Sequence, residues 1–419
     1  MWYIIILILQ FIFFYKLIKP RFFYPIYLFY WLNFFQFIVV PMIYFLLLPE
    51  KISDYSNSIY EVGIVLNFIF FIWFFFYYIL QKIYPTNFNK LNLLPVNYHN
   101  YGIFLIFIGI LIYLIFFYIN QINIFDAFYN PLATRFQIIS ITGGYYFIKI
   151  SIWSMLNGFF FLLCSNNKES KFQKLILFMI IFLLLFPLGQ KYNILLLLFM
   201  SFVIISQKKN FSAIYALPIF ILLIIINAFL TIYREMNFFG TSNISLILNE
   251  IANNYELLIE KSIERFDWFI NFCYFIQNKD LMDISFLDSL KNFFLKFFPE
   301  SLTGINKPHD VNTSITLLKF GNLDYGTYDF TPFAEWYIYF SYPGFIFMPI
   351  ISSFFFFLIE KKIVNNKNHS IFWYILYFNL FYIHIAFIGF NKIDNVEIII
   401  LIAYSFLISL IYNFLKKLT

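Results

Sequence analysis

Apolar residues in this chain fall in long, nearly unbroken runs. This is neither the two-residue alternation of a half-buried strand nor the three- and four-residue spacing of a water-facing helix. A helix needs about 20 apolar residues to cross the hydrocarbon of a bilayer, where every backbone polar group must be bonded internally. Runs that qualify cover approximately 2–18, 22–48, 60–80, 101–119, 141–163, 212–230, 334–359, 371–389 and 396–415. The stretch 174–206 is too long for one crossing, and Pro187-Leu188-Gly189-Gln190-Lys191 lies at its centre. Proline and glycine stop helix propagation there, so the pattern predicts two shorter spans meeting in a tight turn. The expected fold is all-α: a polytopic transmembrane helix bundle of about 11 spans with one large, partly helical extracytoplasmic loop. Spans 1–8 occupy 1–230, the loop occupies 231–333, and spans 9–11 occupy 334–419.

Charge orients the bundle, because cytoplasmic loops collect Lys and Arg. Alternate loops carry Lys16, Lys19 and Arg21; Lys82 and Lys90; Lys168, Lys171 and Lys174; Lys208 and Lys209; Lys361, Lys362 and Lys367; and finally Lys416 and Lys417. The acids among them are Glu169 and Glu360. This alternation holds with eleven spans and fails if 174–206 crosses once. It predicts an outer N-terminus and a cytoplasmic C-terminus. Met1 to Tyr15 has no basic residue before its apolar run and no small-residue cleavage site, and reads as a retained first span.

Composition agrees. The 419 residues are 62% apolar and 12% charged, against roughly 25% charged in soluble domains, so a water-facing surface is excluded. The net charge of +6 is dispersed rather than gathered in a patch, which excludes nucleic acid as a partner. With 65 Phe in the chain, no single phenylalanine is informative. Cys164 and Cys273 are assigned to opposite sides, so neither a disulfide nor a thiolate metal site is expected.

The loop from Thr231 to about Phe333 has amphipathic stretches. Phe286 to Phe297 has the spacing of a helix lying in the membrane interface, and another helix is expected from Leu246 to Ile276. A long ordered loop is usually functional. No internal repeat or inverted symmetry is visible, and no metal motif or nucleotide loop occurs. Gly143-Gly144 reads as a place where helices approach closely.

Candidate chemistry lies in charged residues at the outer ends of spans. Lys191, in the turn between two short helices, is either a snorkelling lysine or a cation placed to meet a phosphate. Arg234, after Tyr233, either pairs with the adjacent Glu235 or joins that cation set. Arg265 has no acid three or four residues away on its expected helix. Arginine forks suit a diphosphate. His309, within Lys307-Pro308-His309-Asp310, titrates near neutrality and is a candidate base or a solvated loop histidine. His384 lies in the outer third of its span. Glu335, in Thr331-Pro332-Phe333-Ala334-Glu335-Trp336-Tyr337, either complements a helix dipole or acts in catalysis. Lys149, well inside its span, must find a partner or water.

From Phe186 to about Ile350 the chain resembles the Wzy-type polymerases of bacterial surface polysaccharide, the O-antigen or oligosaccharide repeat-unit polymerases. The resemblance is carried by Gly189-Gln190-Lys191, Tyr233-Arg234, Arg265-Phe266-Asp267, Pro299 with Lys307-Pro308, and Pro332 through Glu335, Tyr337 and Phe340 to Gly344. Lys191 stands where the family usually has Arg, Glu300 where a basic residue is frequent, and Ser341 where Gly is usual.

The resemblance implies a metal-independent glycosyltransferase, without cofactor, at the outer face of a bacterial inner membrane. It would polymerise undecaprenyl-diphosphate-linked oligosaccharide repeat units into O-antigen, capsule or exopolysaccharide. Lys191, Arg234, Arg265 and Lys307 would hold the diphosphate, and His309, Asp267 or Glu335 would carry the catalysis. Tyr233, Asp310, Tyr337 and His384 are further candidates. Membrane lipid, a chain-length regulator and a flippase are the partners implied. The rival readings are an O-antigen ligase, a lipid-linked oligosaccharide flippase and a scaffolding protein. The spans are nearly free of charge and the loop is large, which argues against transport.

Overall fold

The computed structural model describes residues 2–18, 33–84, 97–129, 131–141, 143–165, 171–188, 191–209, 268–281, 332–364, 370–379 and 395–418, with isolated positions between 222 and 318. Among the described residues the regular structure is helix, with no strand. Three helices are long and apolar enough to cross a membrane: Ser56–Ile83, Tyr98–Ile119 and Gly144–Cys164. The chain divides into two compact units, Met1–Phe88 with Arg265–Thr419, and Asn89–Glu264.

The first unit contains α1 (Trp2–Ile18), α2 (Phe35–Leu47), α3 (Glu50–Ser53) and α4 (Ser56–Ile83). The opening turn of α2, Phe35–Val39, is π-helical. Pro41 follows it, and a proline ring clashes with the carbonyl four residues back, which the wider turn relieves. On α4, Ile64, Phe68, Phe71 and Phe75 are exposed, while Val62, Leu66, Ile69, Phe70, Trp73 and Tyr77 on the other face are buried. An exposed apolar stripe over a buried one is the surface of a helix that faces lipid.

α1 and α4 run parallel. Tyr3 packs against Gly63, Phe11 meets Phe70 edge-on at 5.2 Å, and Phe14 stacks on Phe74 at 4.0 Å. Asn67 fastens the pair by donating to the carbonyls of Tyr3 (3.1 Å) and Gly63 (2.8 Å). A hydrogen bond between membrane helices is worth about 1 kcal/mol.

The second unit holds α5 (Asn97–Ile119), α6 (Ile124–Tyr129), α7 (Pro131–Ser140), α8 (Gly144–Cys164), α9 (Lys171–Leu185) and α10 (Lys191–Lys209). α5 and α8 are antiparallel along a seam of small residues. A Cβ on Gly102 would lie 2.7 Å from the Gly158 carbonyl, and one on Gly158 would lie 2.6 Å from the Gly102 carbonyl. Seven residues along, Ser151 donates to the Gly109 carbonyl at 2.7 Å. Seven further, Gly144 meets the Phe116 ring. Steps of seven keep one face of each helix on its partner, the periodicity of a left-handed crossing. Gly143, at φ 75°, caps α8 in the left-handed region. The Gly143-Gly144 pair therefore supplies a cap and a close approach.

Within the break expected near 187–191, α9 ends at Leu185 and a 3-10 turn covers Phe186–Leu188; Gly189 and Gln190 lie outside the described residues, and α10 covers Lys191–Lys209. Phe128 of α6 stacks on Phe186 of that turn at 6.2 Å. Lys149, 5% exposed, sits over the Tyr145 ring one turn earlier at 5.1 Å.

The first unit is completed by α11 (Trp268–Asn278), α12 (Pro332–Phe340), α13 (Gly344–Val364), α14 (Ile371–Phe378) and α15 (Asn395–Leu418). The run 334–359, expected as one span, is broken at Ser341–Pro343. Pro343 cannot continue a helix, and Ser341 has a left-handed φ of 54°. The interfacial helix expected over Phe286–Phe297 lies almost wholly outside the described residues, although Leu287 and Lys291 are helical and exposed. α11 forms the C-terminal part of the expected Leu246–Ile276 helix, and 246–267 lie outside the described residues.

Side chains that the loop charges assign to the same face meet within each unit. At one end of α4, Glu61 meets Lys279, and at the other Tyr84 lies 4.2 Å under the Lys361 ammonium. In the second unit, His99 and Ser165, both assigned inside, are 3.3 Å apart. Twenty-three residues of helix separate Glu61 from Tyr84, a rise of about 35 Å, enough to cross a hydrocarbon core of about 30 Å.

Two predictions follow from this packing. Gly158→Leu should overpack the α5–α8 seam and cost about 1–3 kcal/mol, lowering the thermal midpoint of the detergent-purified protein, whereas Phe107→Leu, at an exposed position, should not. Cys164 and Cys273 are both buried, so an impermeant thiol reagent should read introduced cysteines only. On intact spheroplasts it should label Leu281→Cys, and it should label Phe172→Cys only after lysis. The opposite pattern would invert the orientation.

Candidate functional site

The best-described part of the expected site is the segment that opens with α12. Pro332 starts the helix, where its missing N–H costs nothing. The helix ends at Phe340, and the Ser341 N–H donates to the Tyr337 carbonyl at 2.6 Å. Ser341 then takes the left-handed conformation that glycine adopts freely. Gly344 opens α13 against the backbone of Trp336, whose carbonyl carbon would be 2.6 Å from an added Cβ. A side chain at 344 would force the two helices apart.

This turn fixes Tyr337. Its ring packs edge-on against Phe275 at 5.6 Å, stacks on Phe345 at 5.2 Å, and meets Tyr342 at 5.3 Å and 88°. Lys279, in the 3-10 turn Lys279–Leu281 that follows α11, places its ammonium 5.9 Å from the Tyr337 ring centroid. The same ammonium donates to Glu61 Oε1 of α4 at 2.9 Å. Glu61 is the one charged residue between Ser56 and Gln81, and a carboxylate within an apolar helix needs a partner.

The hydrogen bond to Glu61 holds the Lys279 pKa above the ordinary lysine value, against a smaller opposing effect of burial. Lys279 is therefore charged throughout the neutral range. The pair's stabilising effect is complete below the ordinary lysine value and fades as pH rises through the raised one. With side chains 21% and 42% exposed, such a pair contributes at most about 1 kcal/mol, so it orients groups more than it holds the fold.

Of the residues expected in the site, Tyr337 is the one whose side-chain contacts are described. Glu335 lies on α12, one turn before Tyr339, and Lys191 is the first residue of α10. Tyr233, Arg234, Arg265, Asp267, Lys307, His309, Asp310 and His384 lie outside the described residues. Glu61, Lys279 and Tyr342 were not expected in the site. The sequence signal for Glu61 was its isolation in an apolar run; Lys279 carries no local signal, because only the tertiary fold brings it to Tyr337, and Tyr342 meets Tyr337 across the local turn between α12 and α13. Among the described residues no cluster of His, Cys, Asp and Glu suited to a metal occurs. No family model, curated protein or solved structure matches the chain.

Gly344→Ala should lower the thermal midpoint of the purified protein by the equivalent of about 1–3 kcal/mol, because backbone rather than a mobile side chain fills the space. Ser341→Gly should leave it within about 1 kcal/mol of the starting protein. Equal midpoints for Gly344→Ala and the parent would contradict the tight α12–α13 junction.

Proposed function

We propose that the protein is a polysaccharide polymerase of the Wzy type. It transfers a growing glycan from undecaprenyl diphosphate to a hydroxyl of a second lipid-linked repeat unit at the outer face of a bacterial inner membrane. The acceptor oxygen forms the new bond to the anomeric carbon as the bond to the diphosphate breaks, and the hydroxyl proton passes to a base. Asp267, His309, Asp310 and Glu335 are the candidates for that base. The leaving diphosphate already carries negative charge, which Lys191, Arg234, Arg265 and Lys307 would stabilise as it develops further.

The observation that carries this reading is the position of Lys191 at the first residue of α10. A helix N-terminus is the positive end of the macrodipole, where a cation is unfavourable and an anion gains. A lysine there is poorly explained by helix stability, and a phosphate bound near that end would account for it. The 3-10 turn Phe186–Leu188, just before the Gly189-Gln190-Lys191 motif, and the helix–turn–helix at the Pro332–Gly344 motif support the same reading.

Lys191→Ala, Arg234→Ala and Arg265→Ala should each remove a charge-assisted contact worth ~1.5–3 kcal/mol, on the order of ten- to a hundredfold in rate. Surface-glycan gels from cells expressing each variant, with protein level matched by immunoblot, should show short or single-repeat products. Lys191→Arg should retain the ladder. Full-length ladders from all three alanine variants would refute the cation set. Long polymer left on the lipid carrier would mark a ligase, and repeats trapped inside the cell a flippase.

A further inference from the structure

The Glu61–Lys279–Tyr337–Tyr342 cluster has a chemistry different from that of the cation set. Lys279 is bonded to Glu61 at 2.9 Å, so the two charges cancel. A diphosphate gains little from a cation already paired with a carboxylate. What remains is a neutral surface with donors, acceptors and a flat apolar face.

Tyr342 supplies the face. Its ring is 56% exposed. It is held nearly perpendicular to Tyr337, at 88°, and lies 6.3 Å from Phe345. Its backbone lies in a three-residue turn between two helices, between left-handed Ser341 and Pro343, so the ring is presented from a rigid support. Binding to a group already fixed in place sacrifices little conformational entropy. Beside it, Glu61 keeps its second carboxylate oxygen as an acceptor, and the Lys279 ammonium has further N–H donors beyond the one given to Glu61. Tyr60, next to Glu61 in the chain, is 72% exposed.

A sugar ring has the complementary properties: an apolar C–H face that lies on an aromatic ring, and a rim of hydroxyls that both donate and accept. We propose that Glu61, Lys279 and Tyr342, with Tyr337 beneath them, form a binding subsite for the sugar portion of the lipid-linked substrate. The proposal rests on the glycan-polymerase reading above. It assigns sugar recognition to residues separate from those that meet the diphosphate. Tyr342 lies against the C–H face of one residue of the glycan, and the Glu61–Lys279 pair bonds adjacent hydroxyls on its rim.

The test is binding to the full-length protein in detergent, with two probes measured separately. One is the oligosaccharide released by mild acid from lipid-linked repeat units of a host strain lacking this protein; the other is inorganic pyrophosphate. Tyr342→Ala should weaken oligosaccharide binding by roughly tenfold, the scale of one lost aromatic contact, and leave pyrophosphate binding unchanged. Tyr342→Phe, which keeps the ring, should bind the oligosaccharide almost as the parent does. Glu61→Gln should weaken the oligosaccharide and strengthen pyrophosphate, because it frees the Lys279 ammonium. A merely structural role for the pair would not produce that exchange. Unchanged oligosaccharide binding in Tyr342→Ala and Glu61→Gln, or none by the parent protein, would overturn the subsite. Full-length glycan ladders from the Lys191, Arg234 and Arg265 variants, with oligosaccharide binding still dependent on Tyr342, would remove the diphosphate clamp and leave the subsite standing.

Discussion

Hydrocarbon offers no hydrogen bonds, and most of this structure follows from that fact. A backbone N–H or C=O left bare there costs several kcal/mol, so the described parts of the apolar runs are helical away from their ends, apart from the turn at Ser341–Pro343. Several polar side chains within the helices are satisfied in the same way. Asn157 donates to the Trp153 carbonyl at 2.7 Å, Ser405 to Leu401 at 2.6 Å and Asn379 to Ile375 at 2.8 Å, each within its own helix. Asn67 and Ser151 instead reach across to a neighbour and so contribute to assembly. At the helix breaks, Phe128 stacks against Phe186 beside buried Pro187 and Leu188, and the Ser341 N–H bonds back to the Tyr337 carbonyl of α12.

Once formed, apolar helices gain little from burying apolar side chains against one another, because lipid tails are as oily as leucine. Fit then decides which helices pair. α5 and α8 pair through glycine and serine at seven-residue steps, where one backbone touches the other. α1 and α4 pair through interlocked rings: Phe11 meets Phe70 and Phe74, and Phe14 lies among Trp73, Phe74 and Tyr77. A phenylalanine that is uninformative in so aromatic a sequence thus acquires a definite role from the rings around it.

The same economy of charge shapes the candidate site. Among the described residues nearly all ionisable groups stand near helix ends, and Glu61 is admitted one turn into α4 because Lys279 meets it. Lys149 is admitted deep in α8 with the Tyr145 ring beneath its ammonium. The Glu61–Lys279 pair joins a residue near the start of the chain to one more than two hundred positions later, and Tyr337 completes the group from a third segment.

The sequence by itself determined the long apolar helices. Run length marked the three that are long enough to cross a membrane, and Pro187 marked the break after α9. These are local consequences of hydropathy and of backbone chemistry, readable within a few residues. The break inside 334–359 was less legible, because Ser341 and Pro343 interrupt a run whose hydropathy continues unchanged. Tertiary structure alone decided the partners: Gly102 with Gly158, Tyr3 with Gly63, and Tyr337 with Lys279. Such pairings depend on shape across distant segments, and in a lipid solvent many apolar surfaces are equivalent until their side chains are set against each other.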